Sequence, residues 1–171
     1  MNDVASSPHL RLEMLSQARL LSAARSMVGN FAQRLGFNEV ECGQISLAVD
    51  EALCNIINHG YEKRDDGRIW LNVWGLEGER PGIRVMIEDV ARQVEPDQIK
   101  SRDLDDVRPG GLGVFIIHEI MDEVKYDKRE QGGMRLTMVK YLSSDSRPSS
   151  SSNETRHEES SHSGKGNTDH A

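Results

Sequence analysis

Hydrophobic and polar positions alternate along the chain with two different periods, and each change of period marks a predicted element. Residues 10–14 (LRLEM) alternate apolar and polar side chains, which is the pattern of a short strand. Residues 16–35 carry apolar side chains three and four positions apart, which predicts an amphipathic helix that ends at Gly36. The apolar stripe of this helix consists of Leu20, Leu21, Ala24, Met27, Val28, Phe31, Ala32 and Leu35.

A second helix is predicted from Asn38 to Gly60. Asn38 is a favoured first residue of a helix, and Glu41 stands at the position of its capping-box partner. Gly60 is well placed to end the helix. The stripe that this helix would bury consists of Ile45, Ala48, Val49, Ala52, Leu53, Ile56 and Ile57.

The residue pattern in the second half of the chain predicts four strands and one helix. Residues 63–67 (KRDDG) form a turn, and the strands occupy residues 69–74, 83–87, 124–126 and 134–141. Helical spacing resumes at Val114, Ile117, Ile120 and Met121, after an aperiodic stretch over residues 90–112 that is long enough to be a functional loop. This order predicts an α+β fold, a two-layer sandwich with a mixed, mostly antiparallel sheet and about three helices on one face.

Composition divides the 171 residues into a domain over 1–142 and a tail over 143–171. The tail holds ten serines and almost no apolar residue, so it is expected to be disordered. The net charge of −7, without a basic stripe, argues against binding of nucleic acid or an anionic membrane surface. The sequence contains neither a membrane-spanning run nor a signal peptide, so the protein is expected to be cytoplasmic.

The two cysteines, Cys42 and Cys54, are predicted to lie on one helix. A helix rises about 1.5 Å per residue, so these thiols would be roughly 18 Å apart, too far for a disulfide. Reduced thiols agree with a cytosolic protein.

Three short segments could carry chemistry. In the second helix, Glu51, Asn55 and His59 follow each other at intervals of four, which places a carboxylate, an amide and an imidazole in one row. Spacing alone is more often typical of a solvated helix face than of a site, because E-x-x-x-N is a weak pattern. The segment Ile87-Glu88-Asp89-Val90-Ala91 ends a strand with a carboxylate that could accept a hydrogen bond from a ligand amine or simply form a turn.

The third segment, residues 108–113 (RPGGLG), opens directly into the third predicted helix. Backbone N–H groups at a helix N-terminus attract anions, so this segment could bind phosphate. It could also be a flexible loop that happens to precede a helix. It is not a Walker loop, because no Lys-Ser/Thr pair follows the glycines.

Taken in order, residues 48–61 (AVDEALCNIINHGY), 87–91 (IEDVA) and 108–117 (RPGGLGVFII) resemble the nucleotide-binding boxes of the GHKL (Bergerat-fold) ATPases. The resemblance is strongest to the stand-alone anti-sigma-factor serine kinases of bacterial stress-response and sporulation switches. It covers roughly residues 10–142, including residues 121–126 (MDEVKY) and the G-G-x-x-L-x-x-x-K pattern of 132–140.

The resemblance implies an Mg·ATP-dependent protein-serine kinase that sequesters a sigma factor and phosphorylates an anti-sigma-factor antagonist. Asn55 would coordinate Mg²⁺, Glu51 would be the catalytic base, and Asp89 would accept the adenine amino group. The phosphates would be bound by the loop residues Arg108, Gly110, Gly111, Leu112 and Gly113, and residues 95–110 would form a lid. Such proteins commonly work as homodimers.

One position departs from this family pattern. Members usually have D-x-G at the second box, where the glycine lets the backbone pass close to the adenine. Here Ala91 replaces that glycine. The extra methyl group is either accommodated or displaces the nucleotide and weakens its binding, and we expect Ala91→Gly to tighten binding. A non-catalytic partner-switching module, with weak or no kinase activity, therefore stays open as the alternative to an active kinase.

Overall fold

The computed structural model describes residues 7–99 and 112–143. Five strands form one sheet, β1 (Leu10–Leu15), β2 (Arg68–Leu76), β3 (Gly82–Asp89), β4 (Glu123–Lys128) and β5 (Met134–Tyr141), in the spatial order β1-β2-β3-β5-β4. All four neighbouring pairs are antiparallel, which confirms the expected mostly antiparallel sheet; the described strands contain no parallel pair.

Three helices complete the two-layer α+β fold, α1 (Leu21–Arg34), α2 (Glu39–Asn55) and α3 (Leu112–Ile120). Helix α2 lies between the other two. A single core joins its stripe to alternate residues of the central strands, such as Leu71 and Val85. None of the helices in the described part of the chain is long and apolar enough to span a membrane.

The first helix begins later than residue 16, where the sequence predicted its start. A short 3₁₀ turn (Ala18–Leu20) precedes α1, and Ser16 is buried instead of helical. The Ser16 hydroxyl donates to the carbonyl of Arg64 at 2.6 Å and accepts from the amide of Gly67 at 3.0 Å. These bonds to a distant turn hold the chain extended at the end of β1, so the helix starts only at Leu21.

The second helix begins where the sequence predicted, after Asn38, and becomes π-helical near its end. Asn38 and Glu41 make both hydrogen bonds of a capping box, each at 2.9 Å. After Asn55 the chain continues as one π-helical turn over Ile56–Gly60, closed by a bond of 2.8 Å from the amide of Tyr61 to the carbonyl of Ile56. The two cysteines are free, as expected.

The strands agree with the predicted segments and extend one or two residues beyond most of them. Helix α3 begins at Leu112, two residues before the predicted resumption of helical spacing. In the predicted loop, residues 96–98 form a short 3₁₀ turn, and residues 100–111 lie outside the described ranges. The predicted tail lies outside them as well, except for Ser143, whose hydroxyl donates to the carboxylate of Glu41.

Candidate nucleotide-binding site

A cavity of about 420 Å³ lies where the end of α2, the π-helical turn, the end of β3 and the start of α3 meet. Its polar lining comes from Asn55, His59, Asp89 and Arg92, and its apolar lining includes Ile56, Val94, Ile99, Val114, Tyr126 and Leu136. The structure thus brings all three sequence motifs to one place. A second cavity, of about 440 Å³, is lined by residues 16–19 and neighbouring side chains and contains none of the predicted site residues.

Asp89 is the last residue of β3 and is only 4% exposed. Its Oδ1 accepts hydrogen bonds from the amides of Ala91 at 2.8 Å and of Met134 at 3.3 Å. Burial raises the pKa of Asp89, and those two bonds together with the charge of Arg129 oppose part of the rise. Because both donors bind one oxygen and fix the plane of the carboxylate, Asp89 is oriented to accept a hydrogen bond from a ligand in the cavity.

Tyr61, at the end of the first motif, supports the strand end that carries Asp89. Its hydroxyl donates to the carbonyl of Arg68 at 2.5 Å and accepts from the amide of Val90 at 3.1 Å. Burial raises the pKa of Tyr61, which keeps the hydroxyl protonated and able to make both bonds. The first motif therefore positions the second through this buried phenol.

Glu51, Asn55 and Gly113 meet where α2 contacts the first turn of α3. A methyl group placed on Gly113 would lie 2.5 Å from Oε2 of Glu51 and 3.3 Å from Nδ2 of Asn55. Only a glycine lets the backbone of α3 approach both side chains so closely. The carboxylate and the amide thus lie beside a helix N-terminus whose free N–H groups favour negative charge.

His59 was predicted to continue the row of Glu51 and Asn55, which assumed a regular α-helix. The π-helical turn interrupts that geometry, and His59 nevertheless lines the cavity together with Asn55. π-helical turns inside helices are frequent at functional sites, because one extra residue per turn moves the following side chains around the axis.

Ala91, the departure from the family pattern, packs against the core and faces Gly60. A methyl group on Gly60 would lie 3.0 Å from Cβ of Ala91, so the missing side chain at Gly60 leaves room for the methyl of Ala91.

Some predicted phosphate-binding residues cannot be placed. Arg108, Gly110 and Gly111 lie outside the described ranges, as does the part of the predicted lid after residue 99. Leu112 is the first residue of α3, and its side chain is exposed.

Sequence reasoning missed two groups at this site. The sequence shows Tyr61 only as the last residue of the first motif, and no motif includes Arg129, whose guanidinium donates to the backbone carbonyl of Asp89. The two glycines that open the pattern of residues 132–140 were the available signal, because Gly133 has a φ of +78° and a methyl group there would overlap the carbonyl of Asp89.

Comparison with known proteins identifies the family of the chain. Residues 14–140 match the family model described as histidine kinase-like ATPase domain. The serine-protein kinase RsbW of Oceanobacillus iheyensis is 27% identical over 142 residues, covering 78% of this chain and 87% of the relative. The anti-sigma F factor of Clostridium novyi is 30% identical over 139 residues, covering 79% of this chain and 95% of the relative.

Two solved structures share the fold. The histidine kinase domain of a blue-light activated kinase from Erythrobacter litoralis superposes with a TM-score of 0.50 at 22% identity, over 75% of this chain and 62% of its own. The RsbU and RsbW domains of a Mycobacterium tuberculosis protein give 0.51 at 15% identity, over 78% of this chain and 32% of their own. The chain therefore spans less than two thirds of either solved protein.

Proposed function

The chain belongs to the family of histidine kinase-like ATPase domains, with anti-sigma serine kinases among its relatives, and we propose that it is itself an Mg·ATP-dependent protein-serine kinase and anti-sigma factor. One observation carries the proposal. Asn55 and Asp89 line one cavity, and Glu51 and Gly113 adjoin Asn55 at the contact of α2 with α3, so three separated motifs contribute to one site.

The residues present fit a nucleotide with its metal ion. Asp89 is a buried, oriented carboxylate, which suits a base amine at the inner end of the cavity. Asn55 offers an amide oxygen, a ligand type that Mg²⁺ accepts. The space that glycine leaves at Gly113 brings helix N–H groups close to both side chains of α2, as a phosphate site requires.

We infer the following roles for these residues. Asp89 accepts a hydrogen bond from the adenine amino group, and Asn55 holds the metal ion. The N-terminus of α3, with Leu112 and Gly113, binds phosphate oxygens, and Arg108, Gly110 and Gly111 extend this binding. Ala91 borders the adenine subsite. When bound, Mg·ATP supplies the transferable phosphoryl group.

Glu51 is the proposed catalytic base. Its carboxylate lies one helical turn before Asn55 and against Gly113, where it would accept the proton of an attacking serine hydroxyl. The same carboxylate also stabilises the N-terminus of α3 electrostatically. Glutamine retains the hydrogen-bonding shape but loses both the base and the negative charge, so the change in melting temperature measures the electrostatic role and the change in transfer rate measures the base.

The Glu51→Gln variant tests the kinase. Single-turnover transfer to an antagonist protein from the same organism, at saturating ATP, is expected to slow by about 10²–10⁴-fold, the usual contribution of a general base. Glu119→Gln, an exposed change on α3, is the matched control and should transfer at the wild-type rate. Melting curves for both variants separate lost chemistry from lost stability.

A loss of less than tenfold in Glu51→Gln would reject the base. If the wild type binds ATP and transfers no phosphate to any antagonist, the non-catalytic partner-switching module becomes the better account. Ala91 is the feature that favours this second candidate.

The proposed partners follow from the names of the relatives: a sigma factor that the chain sequesters and an antagonist that it phosphorylates. We propose a cytoplasmic homodimer that contacts neither nucleic acid nor a membrane. Light scattering should then give twice the chain mass of 19.2 kDa. Co-purification with each sigma factor of the organism would identify the sequestered one.

A further inference from the structure

The turn between β4 and β5, residues 129–133, contacts Asp89 at two points. The guanidinium of Arg129 donates through Nη1 to the backbone carbonyl of Asp89. Directly after the turn, the amide of Met134 donates to Oδ1 of the Asp89 carboxylate at 3.3 Å. One turn therefore holds both the main chain and the side chain of the residue proposed to read adenine.

Arg129 is itself fixed in place. Its Nε lies 3.4 Å from Oε1 of Glu88, and the side chains of the two residues are only 14% and 17% exposed. Its guanidinium carbon lies 5.4 Å from the centre of the Trp70 ring, within the range of a cation–π contact. A buried guanidinium held by a carboxylate and an aromatic ring occupies one orientation, so its bond to Asp89 has little freedom.

The turn is also shaped for this approach. Gly133 has a φ of +78°, and a side chain there would overlap the carbonyl of Asp89. The Gln93 side chain, four residues after Asp89, donates to the carbonyls of Arg129 at 2.7 Å and Gly133 at 3.1 Å. The turn therefore bonds to the chain at two positions, at Asp89 and at Gln93 four residues later.

We propose that Arg129 is a positioning residue that sets the Asp89 carboxylate for recognition of a purine amino group. Arg129 acts on the nucleotide only through Asp89, and it does so by fixing the strand end from which that carboxylate projects. This inference rests on the proposed nucleotide-binding function.

The test compares Arg129→Met with wild type for two probes, ATP and purine riboside triphosphate, which lacks only the 6-amino group. Calorimetry in the presence of Mg²⁺ should show an ATP affinity about tenfold lower, as expected when the acceptor of one charge-assisted hydrogen bond is displaced. Affinity for the analogue should change by less than about twofold, since the analogue has no amino group for Asp89 to read.

Arg135→Met is the matched control. Arg135 also pairs with Glu88, with Nη2 at 2.8 Å from Oε1, and it is 44% exposed and has no bond to Asp89. It should leave the ratio of the two affinities unchanged. Arg129→Lys, which keeps the charge and loses the guanidinium geometry, provides a second, milder variant that should shift the ratio in the same direction.

A second arm places Arg129→Met in an Asp89→Asn background. If Arg129 acts through Asp89, this change should alter ATP affinity by less than about twofold there. Equal losses for ATP and the analogue, or no loss for either, would overturn the inference. A wild-type protein that binds neither probe would instead overturn the proposed function, and this inference with it.

Discussion

Gly113→Ala should slow phosphoryl transfer while leaving the fold intact. The added methyl group would lie 2.5 Å from Oε2 of Glu51, whereas ordinary contacts begin near 3.4 Å. The carboxylate must therefore retreat by about 0.9 Å, or α3 must move away from α2. The side-chain end moves more cheaply than a packed helix, so we expect Glu51 to rotate out of its position.

The magnitude follows from that displacement. A shift of about 1 Å in a catalytic group costs on the order of 10²-fold in rate, so Gly113→Ala should lower single-turnover transfer by about 10–100-fold. The free energy of unfolding should fall by less than about 1 kcal/mol, because alanine is the better helix former and offsets part of the crowding. ATP affinity should change less than the transfer rate, since the most crowded atom belongs to Glu51 and Nδ2 of Asn55, at 3.3 Å, is almost at an ordinary contact distance.

The assay measures transfer from labelled ATP to the antagonist at saturating ATP, alongside thermal melting. Gly43→Ala on α2 is the matched control, because no atom lies within 4 Å of the methyl group that it would add. It should keep the wild-type rate and melt slightly higher. In a Glu51→Gln background, Gly113→Ala should have little further effect on transfer. Wild-type transfer by Gly113→Ala would refute the claim that Gly113 and Glu51 share one catalytic position.

Three further predictions follow from the same geometry. Asp89→Asn should weaken ATP binding by about 1–3 kcal/mol in calorimetry. Burial raises the pKa of Asp89, so the wild type loses folding stability as pH rises through that pKa and the carboxyl group ionises. Asp89→Asn does not ionise and should therefore melt no lower than wild type at pH 7. The difference in melting temperature should vanish below pH 3.8, the ordinary pKa of an aspartate. Gly60→Ala should weaken ATP binding by forcing two methyl groups to 3.0 Å, and adding Ala91→Gly should restore it. Because Gly60 leaves room for the methyl group of Ala91, Ala91→Gly alone should tighten ATP binding by less than about threefold, a smaller gain than the family pattern implies. A chain that ends at Ser143 should keep the wild-type melting temperature and ATP affinity. Ser143 retains its bond to Glu41, and the removed Ser-rich residues cannot offset the entropy cost of becoming ordered. A markedly lower melting temperature would contradict the domain boundary.

Local signals predicted those parts of the fold whose determinants lie close together in the sequence. The capping box of Asn38 and Glu41 joins residues three positions apart, and both its bonds form as expected. The alternation of β2 and β3 likewise indicates one buried face, and both strands agree with the predicted segments.

The start of α1 escaped prediction because its determinant is distant. Residues 16–20 have helical spacing, yet the Ser16 hydroxyl bonds with Arg64 and Gly67, about fifty positions away. Propensity and periodicity contain no information about such a partner. The same reason applies to Arg129, whose bond to Asp89 spans forty positions.

The candidate site was predictable as a set of motifs, and its geometry was not. Spacing placed Glu51 and Asn55 on one face of α2 and indicated a helix start near Gly113. It did not show that Gly113 packs onto Glu51, or that Gly60 makes room for Ala91. Both contacts depend on how α2, α3 and the end of β3 pack, which no single segment determines.

The π-helical turn has a consequence for the length of the chain between Asn55 and Tyr61. Asn55, at the proposed metal end of the cavity, and Tyr61, which supports Asp89 at the proposed adenine end, are joined only by this turn. If residues 56–60 continued as a regular α-helix, Tyr61 would rotate by about 100° around the axis, away from Val90. The turn therefore accommodates one residue more than an α-helical turn between these two positions, so a further insertion within residues 56–60 should displace Tyr61 more than a single substitution there.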